Sequence, residues 1–107
     1  MNIYLSAPIT GRTADDNNLV FEYCATQLRY YGHFVINPWE LGKCLPVLEH
    51  EKYMAIDFEI IKQAADAVFF APGWSSSHGC RLEHDYAEAL GLKIYHDIAE
   101  IAREAGK

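Results

Sequence analysis

The chain has 107 residues, of which 50% are hydrophobic and 22% charged, and its formal net charge is −6. This composition is typical of one ordered globular domain with a hydrophobic core, and it excludes disorder over most of the length. The acidic balance and the absence of adjacent Lys or Arg residues argue against a protein that holds duplex nucleic acid by its backbone.

Targeting and cysteine signals are weak. No apolar segment reaches the roughly 20 residues that a membrane-spanning helix needs, and the first residues lack the features of a signal peptide, so we expect a cytoplasmic protein. Cys24, Cys44 and Cys80 are widely spaced and form no CxxC pair. The sequence therefore predicts neither a disulfide framework nor a structural zinc site.

The N-terminal third predicts a strand, a helix and a second strand. Residues 2–6 are short, apolar and β-prone, and a turn with Pro and Gly follows them. A helix then begins near Thr13 or Asp15 and continues to about residue 31. Residues 33–37 form the second strand, and Pro38 ends it because proline has no amide hydrogen. The apolar residues of this first helix near helical spacing are Leu19, Tyr23, Leu28 and Tyr31.

The rest of the chain continues the alternation after a loop that contains Gly42 and Pro46. The further predicted elements are helices at about 48–65, 78–90 and 97–105 and strands at 66–71 and 93–95. The run at 66–71 is continuously apolar, which indicates a buried central strand of a parallel sheet. The inward positions of the helix at 78–90 are predicted to be Leu82, Tyr86, Ala89 and Leu90.

This order predicts an α/β fold, because right-handed βαβ units build a parallel sheet with helices on both faces. Ligands bind such sheets beyond the carboxyl ends of the strands. The segments expected at that edge are 6–12, 37–41 and 72–79.

The segment SSSHG at 75–79 is the clearest local feature. Small residues and free amides at a helix N-terminus favour an anion, although such segments are also ordinary turns between strand and helix. Glu83 follows in the predicted first helical turn, where it is either an ionised nucleophile or a capping glutamate. Tyr4 lies in the first strand, where a core tyrosine is the simpler interpretation.

Other catalytic constellations are weaker. His78, Cys80 and His84 match the spacing of no common zinc site. A triad of Ser77, His84 and Asp57 lacks the GxSxG turn that presents a hydrolase serine. Neither a Walker loop nor a GxGxxG motif is present. Because the ligand spacing fits no common site we expect no metal, and we also expect no cofactor.

Four segments carry a family resemblance, namely IYLSAPITGR at 3–12, VINP at 35–38, IDFEIIKQAADAVFF at 56–70 and PGWSSSHGCRLEHDYAEALG at 72–91. The last is the most specific, because it contains GW, a polar stretch, Ser, any residue, Gly, and Glu four positions beyond that Gly. Together they resemble the nucleoside 2-deoxyribosyltransferase family and its small relatives, the deoxynucleoside 5′-monophosphate N-glycosidases.

The resemblance implies one flavodoxin-like or Rossmann-like domain over residues 1–107, active without a cofactor as a homodimer or larger homo-oligomer whose neighbour helps to close the site. It places the nucleophile on Glu83, the tyrosine that holds the nucleophile on Tyr4, and the aspartate that assists departure of the base on Asp57. Asp66 competes for this last role, although its place at the start of a buried strand favours structural hydrogen bonding.

The resemblance also points to a substrate phosphate. Six residues before the nucleophile, the transferases tend to have aspartate, whereas the monophosphate hydrolases have a serine that contacts the 5′-phosphate, and here the residue is Ser77. The Gly79 amide and Arg12 are expected to attract the same phosphate. The further residues assigned to substrate binding are Ile9, Gly11, Trp39 and Trp74.

We therefore expect an N-glycosidase that cleaves a (deoxy)nucleoside 5′-monophosphate through a glycosyl-glutamate. A transferase that exchanges bases remains an alternative, since a second base can replace water. A non-catalytic nucleotide-binding module is another, because a fold alone does not prove activity. A third is an interaction domain whose exposed Trp39 and Trp74 face a partner. The expected ligand is a small nucleotide or nucleoside, with no membrane and no duplex nucleic acid.

Overall fold

The computed structural model describes residues 1–106. Its strands are β1 (Asn2–Ser6), β2 (Phe34–Ile36), β3 (Ala67–Phe70) and β4 (Lys93–Tyr95). Its helices are α1 (Ala14–Tyr30), α2 (Pro38–Gly42), α3 (His50–Ala64), α4 (His78–Ala89) and α5 (Ile98–Gly106), and a 3₁₀ turn at Trp74–Ser76 precedes α4. None of the helices within residues 1–106 is both long and apolar enough to cross a membrane.

The four strands form one parallel sheet in the order β2-β1-β3-β4. All four residues of β3 are buried, as the continuous apolar run predicts for a central strand. This order and the covering helices confirm the predicted α/β, flavodoxin-like fold. The carboxyl ends of β1 and β3 lie side by side, with Ser6 paired to Phe70, so the segments that follow them meet at one edge.

The two faces of the sheet have separate cores. Ile3 and Leu5 of β1 pack in one core together with buried residues of α1 and α5. Tyr4 points to the opposite face, where it packs with Ile61 of α3 and Cys80 of α4. Because side chains alternate along a strand, Ser6 shares the face of Tyr4. Two polar side chains of β1 therefore lie beneath α4.

The predicted element bounds agree with the observed ones within two residues, but α2 was not predicted. Pro38 ends β2 as expected and also begins this helix, at a position where the missing amide hydrogen costs nothing. The side chain of Asn37 caps the helix by accepting hydrogen bonds from the amides of Trp39 and Glu40. The Asn-Pro pair was the available signal.

The predicted inward face of α1 is partly wrong. Leu19 and Tyr23 are 69% and 67% exposed, whereas the neighbouring Phe21 and Cys24 are buried. Leu28 lies in the core as expected. The buried residues of α1 include the polar Asn17 and the small Ala25. A prediction from the spacing of large apolar residues does not identify such positions.

The predicted inward face of α4 is mostly wrong, although Tyr86 is partly buried and packs against the core as expected. Leu82 and Leu90 are 37% and 38% exposed, and the buried residues are instead Cys80, Glu83 and Ala87. These three positions follow helical spacing, but a carboxylate lies in the middle of them. The sheet is therefore covered by a helix face that buries an acidic side chain.

Candidate active site

The carboxyl group of Glu83 is buried between α4 and the end of β1, where the residue is 6% exposed. Its Oε2 accepts a hydrogen bond of 2.6 Å from the Tyr4 hydroxyl, and its Oε1 accepts one of 2.7 Å from the Ser6 hydroxyl. Two donors that face the two oxygens of one carboxyl group match its ionised form, which can only accept. The resemblance assigned the Tyr4 contact to these residues, and the structure brings them together.

The capping interpretation of Glu83 is wrong. Glu83 lies in the second turn of α4, and the helix is capped by Ser77, whose hydroxyl oxygen accepts a 3.3 Å hydrogen bond from the Cys80 amide. The helix N-terminus is not what stabilises a charge on Glu83, because this residue lies beyond the first turn of α4. Burial raises the pKa of Glu83 to about 7, and the hydrogen bonds from Tyr4 and Ser6 act against this rise.

Ser6 is the residue at this site that the sequence analysis missed. It is only 1% exposed, and its hydroxyl group donates its hydrogen bond to Glu83. Strand alternation was the available signal, since a residue two positions after Tyr4 faces the same side of the sheet. With Tyr4, it fixes both oxygens of the carboxyl group.

Asp57 of α3 lines the same small cavity as Tyr4, Ser6 and Glu83. We call this space the carboxylate cavity, and its volume is about 70 Å³. Burial raises the pKa of Asp57 to about 6, while hydrogen bonding to Tyr4 and the charge of His50 act in the opposite direction. The cavity thus holds two carboxyl groups that are both harder to ionise than in water.

The competing Asp66 lies at the other edge of the sheet. Its Oδ2 accepts a 2.8 Å hydrogen bond from the amide of Asn2, at the amino end of β1. This contact ties the start of β1 to the residue before β3. It is the structural role predicted for Asp66, and it leaves Asp57 as the second carboxyl group of the cavity.

The direction of hydrogen bonding distinguishes the two carboxyl groups. Burial, and then the charge of Glu83, raise the pKa of Tyr4 well above its ordinary value, so the hydroxyl keeps its single hydrogen. That hydrogen is donated to Glu83. The Tyr4 hydroxyl also interacts with the carboxyl group of Asp57. Because it has a single hydrogen, it cannot donate to both carboxyl groups at once, and that hydrogen goes to Glu83.

Cys80 also lines the carboxylate cavity. Burial is the main cause that raises the pKa of its thiol above the ordinary value, with smaller opposing effects from hydrogen bonds to Ser6 and Ser77. A thiol of this kind stays protonated at neutral pH, and the thiolate is the nucleophilic form of cysteine. Glu83 is therefore the better nucleophile of the two.

A second, open cavity adjoins the first, and we call it the basic cavity. Arg12, His50 and His78 line it together with the hydroxyl groups of Thr10 and Ser77, and no carboxylate is among its described lining residues. Arg12 forms no ion pair with any residue in 1–106. In a chain with a net charge of −6, this is a place where an anion meets only positive or neutral groups.

Gly73 forms the turn beside Arg12. Its φ angle of 88° lies in the left-handed region, which favours glycine. A Cβ atom at this position would stand 3.4 Å from Nη2 of Arg12, an ordinary contact, so the turn rather than the space explains the glycine. Gly79, which was assigned to substrate binding, lines both the basic and the carboxylate cavity.

On its other side, the carboxylate cavity adjoins an apolar groove of about 380 Å³. This volume lies within the range of small-molecule pockets, roughly 300 to 1,000 Å³. Ile9, Trp39 and Asp57 are among its lining residues. The indole ring of Trp39 stacks on Phe21 with ring centroids 6.0 Å apart, and its Nε1 donates a hydrogen bond to Asn18. Trp39 is thus a fixed wall of the groove.

Comparison with protein families identifies the domain. A family described as Domain of unknown function (DUF4406) matches residues 1–96. The chain belongs to the DUF4406 family. The matched part contains the whole sheet and the residues Tyr4, Ser6, Asp57 and Glu83. A search of curated proteins found no match.

Two residues assigned to substrate binding lie outside the three spaces of this DUF4406 domain. Trp74 stacks on His84, with ring centroids 4.4 Å apart and an interplanar angle of 9°, and it also contacts Phe70 and His96. Gly11 forms a turn with a φ angle of 82° and lines none of the three. The structure does not bring either residue to Glu83.

The catalytic triad considered from the sequence is not assembled. Asp57 and Ser77 line the carboxylate cavity, whereas His84 belongs to the Trp74 stack outside it. His84 also places a ligand atom within 4.8 Å of ligand atoms from Asp85 and Glu88, on a partly exposed face of α4. This group shares only His84 with the metal set considered from the sequence.

Proposed function

We propose that this DUF4406 domain is an N-glycosidase that releases the base from a nucleoside 5′-monophosphate through a covalent glycosyl-Glu83 intermediate. The observation that carries the proposal is the shared cavity, in which Glu83 accepts hydrogen bonds from Tyr4 and Ser6 beside Asp57. Glycoside cleavage with a covalent intermediate needs two carboxyl groups in different protonation states. We assign the charge to Glu83, whose two oxygens accept hydrogen bonds from Tyr4 and Ser6, and the proton to Asp57.

The first step forms the glycosyl-enzyme. A carboxylate oxygen of Glu83 bonds to C1′ of the sugar while the bond from C1′ to the base nitrogen breaks, and the electron pair of that bond leaves with the base. Asp57 donates its proton to the departing base, which offsets the charge that develops on it. The transition state resembles an oxocarbenium ion, which the nearby negative charge of Glu83 stabilises.

The second step restores the enzyme. Asp57, now ionised, accepts a proton from a water molecule whose oxygen bonds to C1′, and the ester bond to Glu83 breaks. Glu83 leaves as a carboxylate, which Tyr4 and Ser6 stabilise by donating hydrogen bonds. Two displacements at C1′ retain its configuration.

The basic cavity and the apolar groove, which adjoin the carboxylate cavity, suit the 5′-phosphate and the base of a nucleotide. The basic cavity, with Arg12 and Ser77, provides cationic and hydroxyl groups for the 5′-phosphate. The apolar groove provides Ile9 and the wall formed by Trp39 for the base, next to Asp57. The resemblance to the deoxyribosyltransferase family supports the same assignment. At the position of Ser77 the monophosphate hydrolases of that family have serine, whereas the transferases tend to have aspartate.

A base-release assay tests the proposal. The protein is incubated with deoxynucleosides, ribonucleosides and their 5′-monophosphates, and free base and sugar phosphate are separated by chromatography. We expect release from monophosphates by the parent protein and nearly none by Glu83→Gln, whose amide cannot form the glycosyl ester. Glu88→Gln, an exposed residue on the same helix, is the matched control and should retain full activity.

The outcomes separate the alternatives. Transfer of the sugar to an added second base, faster than water uses it, would make the protein a deoxyribosyltransferase. Nucleotide binding with no release of base would make it a non-catalytic module. Activity of Glu83→Gln within a few-fold of the parent would remove Glu83 from the nucleophile role.

A further inference from the structure

His50 lies where the three spaces of the site meet. It is the first residue of α3, and it lines the carboxylate cavity, the basic cavity and the apolar groove. Thr10, from the segment after β1, also lines all three. A ligand that extends from the basic cavity toward Asp57 must therefore pass beside the imidazole ring of His50.

The helix geometry places His50 on the same face as Asp57. His50, Met54 and Asp57 stand at positions i, i+4 and i+7 of α3, and all three line the carboxylate cavity. The closeness has an electrostatic effect, since burial raises the pKa of Asp57 to about 6 and the charge of His50 opposes that rise. His50 thus faces the second carboxyl group on one side and the basic cavity on the other.

The charges around His50 differ between these two sides. The titratable and charged groups that share a cavity or the groove with it are Tyr4, Arg12, Lys43, Tyr53, Asp57, His78, Cys80 and Glu83. Glu49 and Glu51 flank it in the sequence. The basic cavity contributes only Arg12 and His78 to this set. An anion in that cavity therefore meets no negatively charged lining group.

This inference rests on the proposed function: we propose that His50 is a specificity-determining residue whose imidazole donates a hydrogen bond to the 5′-phosphate in the basic cavity, so that the site prefers a nucleoside monophosphate to the free nucleoside. A hydrogen bond from an imidazolium to a phosphate is charge-assisted.

A binding experiment with inorganic phosphate tests the contact without catalysis. The Cε1 proton resonances of the histidines are followed by NMR at pH 7 during a phosphate titration, and His50→Gln assigns the resonance of His50. We expect this resonance to shift as phosphate binds, and the Kd of phosphate to rise about tenfold in His50→Gln. His33, which contacts the N-terminal amine before β2, is an internal control that should not move. Phosphate binding that leaves the His50 resonance in place would overturn the proposal.

A second variant separates charge from structure. His50→Lys keeps a positive charge up to pH 8 and beyond, so it should bind phosphate at pH 8 at least as tightly as the parent. Measuring both proteins at each pH cancels the ionisation of phosphate itself. Equal loss of affinity in the Lys and Gln variants would show that His50 acts only through the local structure, and would contradict the contact.

Kinetics then connect the contact to specificity. His50→Gln should lower kcat/KM for a deoxynucleoside monophosphate about tenfold more than kcat/KM for the free nucleoside, since the effect of His50 on Asp57 is common to both substrates. Equal loss on both substrates overturns the specificity role. If base is released but phosphate does not move the His50 resonance, the proposed glycosidase activity is supported and the proposed His50 contact is contradicted. If phosphate moves the resonance and no substrate loses its base, the contact stands and the glycosidase falls.

Discussion

The Tyr4 hydroxyl donates a 2.6 Å hydrogen bond to Oε2 of Glu83, a contact between residues 79 positions apart in the sequence. It joins the central strand β1 to α4 and lies entirely within the protein interior. A buried carboxylate is costly unless donors compensate for the lost water. Tyr4 and Ser6 provide those donors, and this explains how an acidic residue is tolerated on the inward face of α4.

Replacement of Tyr4 tests whether this bond supports catalysis. Tyr4→Phe removes the donor and leaves the ring, and a hydrogen bond to a charged group is worth roughly 1.5 to 3 kcal/mol. We therefore expect kcat/KM for base release to fall about ten- to hundredfold. Tyr86→Phe, a partly buried tyrosine that packs on Phe58, is the control and should change little. A Tyr4→Phe enzyme as active as the parent would mean that Ser6 alone supports Glu83.

The pH dependence of the reaction follows from the two carboxyl groups. Burial raises the pKa of Glu83 to about 7 and that of Asp57 to about 6, so near neutral pH the pair holds about one proton. The higher pKa of Glu83 would leave that proton on Glu83, whereas base release requires it on Asp57, an arrangement that the hydrogen bonds accepted by Glu83 from Tyr4 and Ser6 favour. Both groups protonated leaves no nucleophile, and both ionised leaves no acid. We expect a bell-shaped profile of kcat/KM with its maximum between about pH 6 and 7. Asp57→Asn should abolish the alkaline limb, and a flat profile in the parent would exclude this pair.

Protein stability should depend on pH through Glu83. Its pKa is raised by burial from 4.5 to about 7, so between these values the folded state binds more protons than the unfolded state. The free energy of unfolding then falls as pH rises through this window, by roughly 3 kcal/mol from this group, and is level above it. Urea unfolding at pH 5, 6, 7 and 8 measures the fall. Glu83→Gln should remove most of it, and an equal fall in this variant would assign the effect to other groups.

Local patterns of the sequence predicted the elements of this fold well. Alternation of apolar runs with helical spacing is a property of neighbouring residues, and it gave every strand and the four longer helices. The family resemblance, and not these patterns, gave Glu83, Tyr4 and Asp57 as members of the candidate site. The strand order β2-β1-β3-β4 was not predicted, because several orders satisfy right-handed connections.

Contacts across the fold were harder to predict. The inward face of α4 was predicted wrongly because its central residue, Glu83, is charged. A prediction from apolar residues alone places Leu82 on that face, whereas Leu82 is exposed and Glu83 is buried. Ser6 was missed because its role depends on a helix far along the chain. Trp74 was assigned to the ligand from its place after β3, but the His84 ring covers it. Each of these differences arises from contacts between residues far apart in the sequence, which the periodicity of apolar residues does not predict.

The phosphate interaction gives the last prediction. Arg12 is a cation without an ion pair among residues 1–106, and it lines the basic cavity with Ser77, whose oxygen caps α4 and whose hydroxyl hydrogen is not used by that cap. Each charge-assisted hydrogen bond to a phosphate is worth roughly 1.5 to 3 kcal/mol. Arg12→Ala and Ser77→Ala should therefore lower kcat/KM for a deoxynucleoside monophosphate about ten- to hundredfold, with slow turnover of the nucleoside nearly unchanged.

Ser77→Asp should have a larger effect than Ser77→Ala. The new side chain still caps α4, since aspartate is a good capping residue, but it places a carboxylate where the phosphate would bind. Hydrolysis of the monophosphate should be suppressed while the nucleoside remains a substrate, and thermal unfolding should be unchanged because the cap is kept. The measurement compares two substrates across the parent and three variants. A parent enzyme that uses the free nucleoside as well as its monophosphate would rule out the phosphate site and favour the transferase, because the negative charge would then contribute nothing to recognition.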